Sequence, residues 1–428
     1  DWYYYPFKKH PQVELFNYVE RDLATPLKKQ GIKYWGCPMN GAFRYEPLPH
    51  FHDRLTNIKT WWQRCQRTKA EGMLITSWEP NRLAMETTTL VDAAAAQLWL
   101  DPSDVTHETM LAAGLQRTFK IRKPQPIAKA LLEADAYAFT GYPRWEINKD
   151  WSQASGGDGP LEHFEDSLKF FAKLKSRTAK WPPVLHSSII YRDYLARRDL
   201  TVRKGLQLVA KLRQHLTEGP SLNGVLKSLR QLCDQLEPVL IGGRSAAREM
   251  WAFSRYRNSR GPNEQILAHD FKQLAQLQNW LKAVKKTPDH AFTGNPLMGH
   301  WQCSFEVHNL EPGVLRIDLA QKVGSEWRVI KSCYTIEFIS TAAKRRNGPT
   351  HRYSAPLEID PSSGPVQLRL SAHGNGIIKI ANLAITDGVT EYQPVGRKLI
   401  PMGTSALVDQ WANLDANTEF DFTFSIRE

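Results

Sequence analysis

The chain has 428 residues, 42% hydrophobic and 23% charged, proportions of an ordinary folded protein with room for two to four domains. Its formal net charge is +12, and residues 160–289 alone hold 23 Lys and Arg against 12 Asp and Glu, so nearly all the excess sits in one region and suits an anionic partner. No apolar run approaches the roughly 18–20 residues of a membrane span, and the five cysteines (Cys37, Cys65, Cys233, Cys303, Cys333) form no Cys-x-x-Cys.

Three regions follow in chain order. Residues 1–119 alternate strand-like and helix-like pieces. "DWYYYPF" reads as an aromatic strand end, residues 11–30 as a broken helix and "GIKYWG" as a short strand. A Gly-, Pro- and aromatic-rich loop precedes a helix over 53–70. "MLITSW" is then a strand whose unbroken apolar run suits burial on both faces, and a helix covers 85–100. The order βαβαβα predicts a parallel sheet with covering helices. Residues 120–290 are predicted helical: Leu161, Phe164, Leu168 and Phe171 recur near a 3.6 period, as do Leu206, Val209, Leu212 and Leu216. Residues 294–428 change to period two in "GVLRIDLAQKV", "EWRVIKSCYTIEFIS", "GPVQLRLSAHG" and "GIIKIANLAIT". That pattern predicts an antiparallel β-sandwich of jelly-roll type. The fold class expected is therefore multidomain, α/β then α then β.

In the first region each strand finishes in aromatics: Trp2 and Tyr4, then Tyr34 and Trp35, then Trp78 followed by Glu79. In a (β/α)₈ barrel the carboxyl ends of the strands converge on the rim that holds the active site. Trp and Tyr offer flat apolar faces with polar edges to the C–H patches of sugar rings, and carboxylates accept hydrogen bonds from hydroxyls. Aromatics are also enriched in strands generally, so the end of a core strand stands as the other reading of Trp78, and a solvated loop carboxylate before Pro80 as that of Glu79. Three βα units cannot close a barrel, which typically takes about 250 residues. The expectation is the C-terminal part of a barrel whose other units lie upstream or in another chain.

The stretch "AEGMLITSW", with Gly72, Thr76 and Trp78 in a G-x-x-x-T-x-W pattern, resembles the last barrel strand of family 20 glycoside hydrolases, in particular the hexosaminidase D-like branch. The helical stretch "REMWAFSRYR…GPNEQILAHDFKQLAQLQNWL" is similar to the helices that follow the barrel in bacterial members. The resemblance covers about the first 280 residues. It implies hydrolysis of N-acetylated amino sugars by substrate-assisted retention. The substrate acetamide attacks C1, an Asp orients it, and a neighbouring Glu protonates the leaving oxygen. That Asp-Glu pair ends a middle barrel strand in the family, and no Asp-Glu dipeptide occurs in this chain. The resemblance makes Trp78 a wall of the sugar pocket. Many members read Trp-x-Glu there, whereas Trp78 and Glu79 are adjacent, so Glu79 points differently.

Other groupings carry weaker signals. His50 and His52 flank Phe51 beside Asp53, an H-x-H that can chelate metal from a strand, with no third ligand placed. Arg244, Arg248 and Arg255 fall near one helical face with Trp251 and Tyr256, a nucleic-acid pattern or a solvated face with Trp251 packed inward. Trp301, Trp327 and Tyr353 are stacking candidates if the sandwich binds carbohydrate, and core residues otherwise. A Cys303–Cys333 disulfide competes with buried thiols. There is no P-loop, GxGxxG or GxSxG, and no cofactor is expected. The partners expected are a glycan substrate and the remaining barrel units, with a homo-oligomer left open. Glycan processing suggests an extracellular or cell-envelope setting. Two other functions stand beside the enzyme: a catalytically silent glycan-binding or surface-assembly protein, and polyanion or nucleic-acid binding by the basic helical region.

Overall fold

The computed structural model describes residues 24–41, 48–77, 85–100, 105–137, 161–218, 222–255, 262–292, 297, 301–309, 313–323, 325–338, 351–357, 359, 365–373, 378–387, 389–400, 407–408, 411–414 and 419–425. The chain divides into two compact units, one of residues 1–143, 156–200 and 235–271, the other of residues 144–155, 201–234 and 272–428.

The described part of the first unit begins with a short helix, α1 (Ala24–Lys29), followed by β1 (Trp35–Gly36), α2 (Phe51–Thr68), β2 (Gly72–Met73) and α3 (Glu86–Ala95). The strands run parallel, Trp35 opposite Gly72 and Gly36 opposite Met73, and a further parallel bridge joins Met39 to Thr76. A parallel pair needs a crossover, and α2 provides it. Phe51, Leu55, Ile58 and Trp61 recur at helical spacing and are all buried, which fixes the inward face of α2. The helix stops where Lys69 turns left-handed at φ 51°, and its backbone N–H closes onto the carbonyl of Gln66 at 3.2 Å.

The helices α4 (Gln97–Leu100), α5 (His107–Phe119), α6 (Gln125–Asp135) and α7 (Leu161–Lys175) follow. Thr106 caps α5 by accepting the Thr109 N–H at 3.2 Å. α3 and α5 pack backbone to backbone at Gly114, where a Cβ would stand 2.8 Å from Ala94 N.

Three long helices carry the rest of the helical region: α8 (Pro183–Glu218), α9 (Asn223–Ser254) and α10 (Pro262–Lys286). In their first-unit portions a polar layer is buried. Arg198 donates to Asp199 at 3.2 Å and lies 3.7 Å from Asp270, and the Tyr194 hydroxyl donates to Asp270. Burial pushes the Tyr191 and Tyr194 phenols upward, so both stay protonated.

Among the described residues of the second unit eleven strands form two antiparallel sheets, beginning with β3 (Trp301–Asn309), β4 (Gly313–Val323), β5 (Glu326–Phe338) and β6 (His351–Leu357). β7 (Val366–His373), β8 (Ile378–Thr386), β9 (Glu391–Tyr392) and β10 (Gly396–Ile400) continue, and β11 (Leu407–Val408), β12 (Trp411–Leu414) and β13 (Glu419–Phe424) complete the set. One sheet has the order β10-β13-β7-β4-β5, the other β11-β12-β8-β3-β6 with β9 beside β8. Alternation places Leu315, Ile317 and Leu319 of β4 in one core with Cys303 and Phe305 of β3, so the two sheets share their apolar faces.

The described residues correct one expectation about the first region. "MLITSW" was expected to be buried on both faces, yet Leu74 is 59% exposed and regular pairing covers only Gly72–Met73. β2 pairs with β1 on one side and α2 covers one face, which leaves apolar side chains outside. Among the described residues no closed barrel forms.

Candidate functional site

The parallel pair and its two helices form the candidate site. Gly36 turns toward α2: a Cβ there would lie 2.5 Å from Cys65 Sγ and 2.9 Å from Trp61 Cε3, so only glycine lets the strand sit this close to the helix. Gly72 plays the same part on the other face. A Cβ would meet three ring carbons of Trp35 at 2.6–2.9 Å, so the indole lies across the glycine. Thr76 ties the strands together further on. Its N–H and hydroxyl both donate to the Pro38 carbonyl, at 2.7 and 3.0 Å, while its own carbonyl accepts the Asn40 N–H at 3.1 Å. Gly72 and Thr76, the first two residues of the G-x-x-x-T-x-W pattern, therefore each have a local physical cause.

At the carboxyl end the Asn40 amide nitrogen donates to both Asp92 oxygens, at 2.8 and 2.9 Å, and so fastens the end of the first strand to α3. The Asn40 side-chain oxygen is buried with no hydrogen-bond partner among the described residues. Glu86, at the start of α3, also has one buried oxygen without a partner among the described residues, and its charge acts on Arg255, just past the end of α9 (Asn223–Ser254). Sequence reasoning missed Asn40 and Asp92. Neither stands in a motif, and only the register brings them together.

The register also relocates two of the proposed sugar-binding residues. The sequence suggested that the strand ends at Tyr34 and Trp35, but pairing continues to Met39 and Thr76. Trp35 thus sits about four residues, or roughly 13 Å, before the carboxyl end. Its indole is 58% exposed on the face turned away from α2, beside the exposed Leu74. Tyr34 donates its hydroxyl to the Thr68 carbonyl at 2.6 Å, which anchors the strand to the end of α2. Trp2, Tyr4, Trp78 and Glu79 lie outside the described residues.

A second cluster surrounds the start of α2. The sequence suggested an H-x-H on a strand, but His50 is the N-cap and His52 lies in the first helical turn. His50 makes no side-chain cap. Asp135, at the end of α6, does so instead, accepting the Phe51 and His52 N–H groups at 3.2 and 2.7 Å. Burial pushes the Asp135 carboxyl up to about 7, against the pull of these N–H groups and of Arg192. His107 packs edge-on against His52 at 4.6 Å, and burial holds it down to about 4, hence neutral at pH 7. Among the described residues no group of His, Cys, Asp or Glu is arranged to hold a metal ion.

The remaining candidates separate. Arg255 stacks on Trp251 at 4.0 Å and Arg244 on Phe271 at 5.2 Å, so these guanidinium groups are engaged within the protein rather than offered to a nucleic acid. Trp301 is 5% exposed and packs against Tyr392 in the sandwich core, which corrects its candidacy for stacking a sugar. Trp327 is half-buried, and nothing is described of the Tyr353 side chain. Cys303 is a buried thiol on β3, in a different sheet from the strand that carries Cys333. No helix among the described residues is long and apolar enough to cross a membrane. Compared with models of known protein families and with curated proteins, the chain matches none of them.

Proposed function

We propose that this chain is the C-terminal part of a family 20-like glycoside hydrolase acting on N-acetylated amino sugars by substrate-assisted retention, with the catalytic Asp-Glu pair supplied by residues outside it. The observation that carries this reading is the β1-α2-β2 unit with one face covered by α2 and the other apolar and open at Trp35 and Leu74. Parallel sheets are covered on both faces, and in a (β/α)₈ barrel the face away from the helix is the packed interior. Further barrel strands would bury Trp35 and Leu74 as interior residues. The carboxyl end, with Asn40, Asp92 and the following Trp78 and Glu79, would then line the rim. On this reading Trp78 walls the sugar pocket, the two-sheet region is a jelly-roll carbohydrate-binding or spacer domain, and the setting is extracellular or in the cell envelope.

The test is turnover of a chromogenic N-acetylglucosaminide by the full-length native protein. Hydrolysis with retained configuration is expected, and Trp78→Ala should raise KM at least tenfold, by loss of about 1.5 kcal/mol or more of stacking. No turnover and no affinity for N-acetylated glycans would overturn the proposal. The lack of any Asp-Glu dipeptide in this chain favours one second reading, a catalytically silent glycan-binding protein. Glycan affinity without turnover would select it.

A further inference from the structure

Within residues 160–289 the positive charge is displayed unevenly. Of the three arginines in the sequence pattern Arg244 and Arg255 are stacked on aromatic rings and Arg248 is exposed, and Lys211 of α8, Lys227 and Arg230 of α9, and Lys282, Lys285 and Lys286 of α10 are all exposed. None of these six forms an ion pair with a described residue. All six belong to the second unit, which takes the last part of α8, the first part of α9 and the last part of α10. Ser187 of α8 donates to Glu249 of α9, Tyr194 packs on Gly243 and Arg244 stacks on Phe271 of α10, so each helix runs antiparallel to the next and the end of α8, the start of α9 and the end of α10 point the same way. Lys211, Lys227 and Arg230 stand within about 11 Å of the end of α8 or the start of α9 along the helix axes.

Helix dipoles do not account for the arrangement. Lys285 and Lys286 occupy the last turn of α10, where a cation is favoured by about 0.3–1 kcal/mol. Lys227 and Arg230 stand beyond the first turn of α9, where the dipole gives them no support. A merely solvated face would mix its signs more evenly, yet residues 201–234 and 272–289 together hold ten Lys and Arg against three Asp and Glu.

We propose that this cationic end of the three helices is a docking surface for an anionic polysaccharide. Five of the six cations are lysines, point charges with rotatable donors that follow a flexible anionic chain, rather than arginine forks matched to base edges. Trp280, the one Trp, Tyr or Phe in the described parts of these helix segments, is buried, so these segments offer nucleic-acid bases no stacking ring among the described residues. The inference rests on the second unit alone and stands whether or not the chain belongs to a glycosidase.

The test uses the full chain with dextran sulfate as probe, titrated at several salt concentrations. Binding is expected to weaken steeply between about 50 and 200 mM salt, as it does when several condensed counterions are released. The variant Lys227→Gln/Arg230→Gln/Lys282→Gln/Lys285→Gln should bind at least tenfold more weakly, with its unfolding temperature unchanged because all four positions are exposed. Lys173→Gln/Lys180→Gln, exposed cations of the first unit, should bind as the unaltered protein does. No binding at low salt, equal losses in both variants, or undiminished binding by the quadruple variant would overturn the proposal. Duplex DNA bound as tightly as dextran sulfate would overturn the choice of a polysaccharide. Should the quadruple variant fail to fold, Lys282→Gln/Lys285→Gln supplies the same comparison.

Discussion

Gly242 and Gly243 are adjacent in α9 and opposite in consequence. A Cβ on Gly242 would meet nothing within 4 Å, whereas one on Gly243 would lie 2.7–2.9 Å from the Cγ, Cβ and Cδ1 atoms of Tyr194. Helix propensity alone favours alanine at both positions by roughly 1 kcal/mol. Gly242→Ala should raise the unfolding temperature, and Gly243→Ala should lower it by the roughly 1–3 kcal/mol of an overpacked core. Differential scanning calorimetry of the two variants checks this. Asp135 supplies a second single-residue test. Its carboxyl is raised to about 7 by burial, so the folded protein holds that proton more tightly than the unfolded chain. The contribution to stability is fully present below the unfolded value near 4, and it is lost as pH rises through about 7. Asp135→Asn cannot titrate; its single amide oxygen replaces only one of the two acceptors, so the variant is less stable at every pH and the comparison is between slopes. The fall in unfolding temperature between pH 5 and pH 8 should be smaller in Asp135→Asn than in the unaltered protein, and an equal fall would remove Asp135 as its source.

At the scale of elements, legibility depended on how far each one's partners lie along the chain. "GVLRIDLAQKV" coincides with β4, and the other three alternating stretches contain β5, β7 and β8, because period-two alternation records one core face within the strand itself. α2 was equally legible from its apolar spacing. The parallel strands were found but misjudged in extent, since their register depends on hydrogen bonds between residues about 37 positions apart. Asn40 and Asp92 were invisible for the same reason. Arg213 of α8 is another such case. It donates to Asp387 at 2.5 and 3.2 Å, to the Thr390 hydroxyl at 2.7 Å and to the Ala291 carbonyl at 2.9 Å. Asp387 in turn accepts the N–H groups of Val389 and Thr390, so the guanidinium is bound to a turn that is already ordered. Arg213→Leu should cost about 3–5 kcal/mol by leaving a buried carboxylate unpaired. Arg213→Leu/Asp387→Asn should recover most of that loss in chemical denaturation, and no recovery would show that packing rather than charge is responsible.

At the scale of the whole molecule, composition was enough to indicate a folded chain of several parts and to locate its positive charge between residues 160 and 289. Periodicity was enough to separate parallel α/β, helical and antiparallel regions, because each period reports which side of an element meets a core. Both are local properties, and the sequence by itself determined them. Tertiary structure decided which charges are spent and which are offered. Arg198, Arg213, Arg244 and Arg255 look alike in the sequence, yet each is engaged by a carboxylate or an aromatic ring, while the lysines near the ends of α8 and α10 and at the start of α9 face solvent. It also decided that Trp35 lies within the sheet rather than at its rim. Those outcomes depend on contacts between residues tens to hundreds of positions apart, which no local pattern along the chain records.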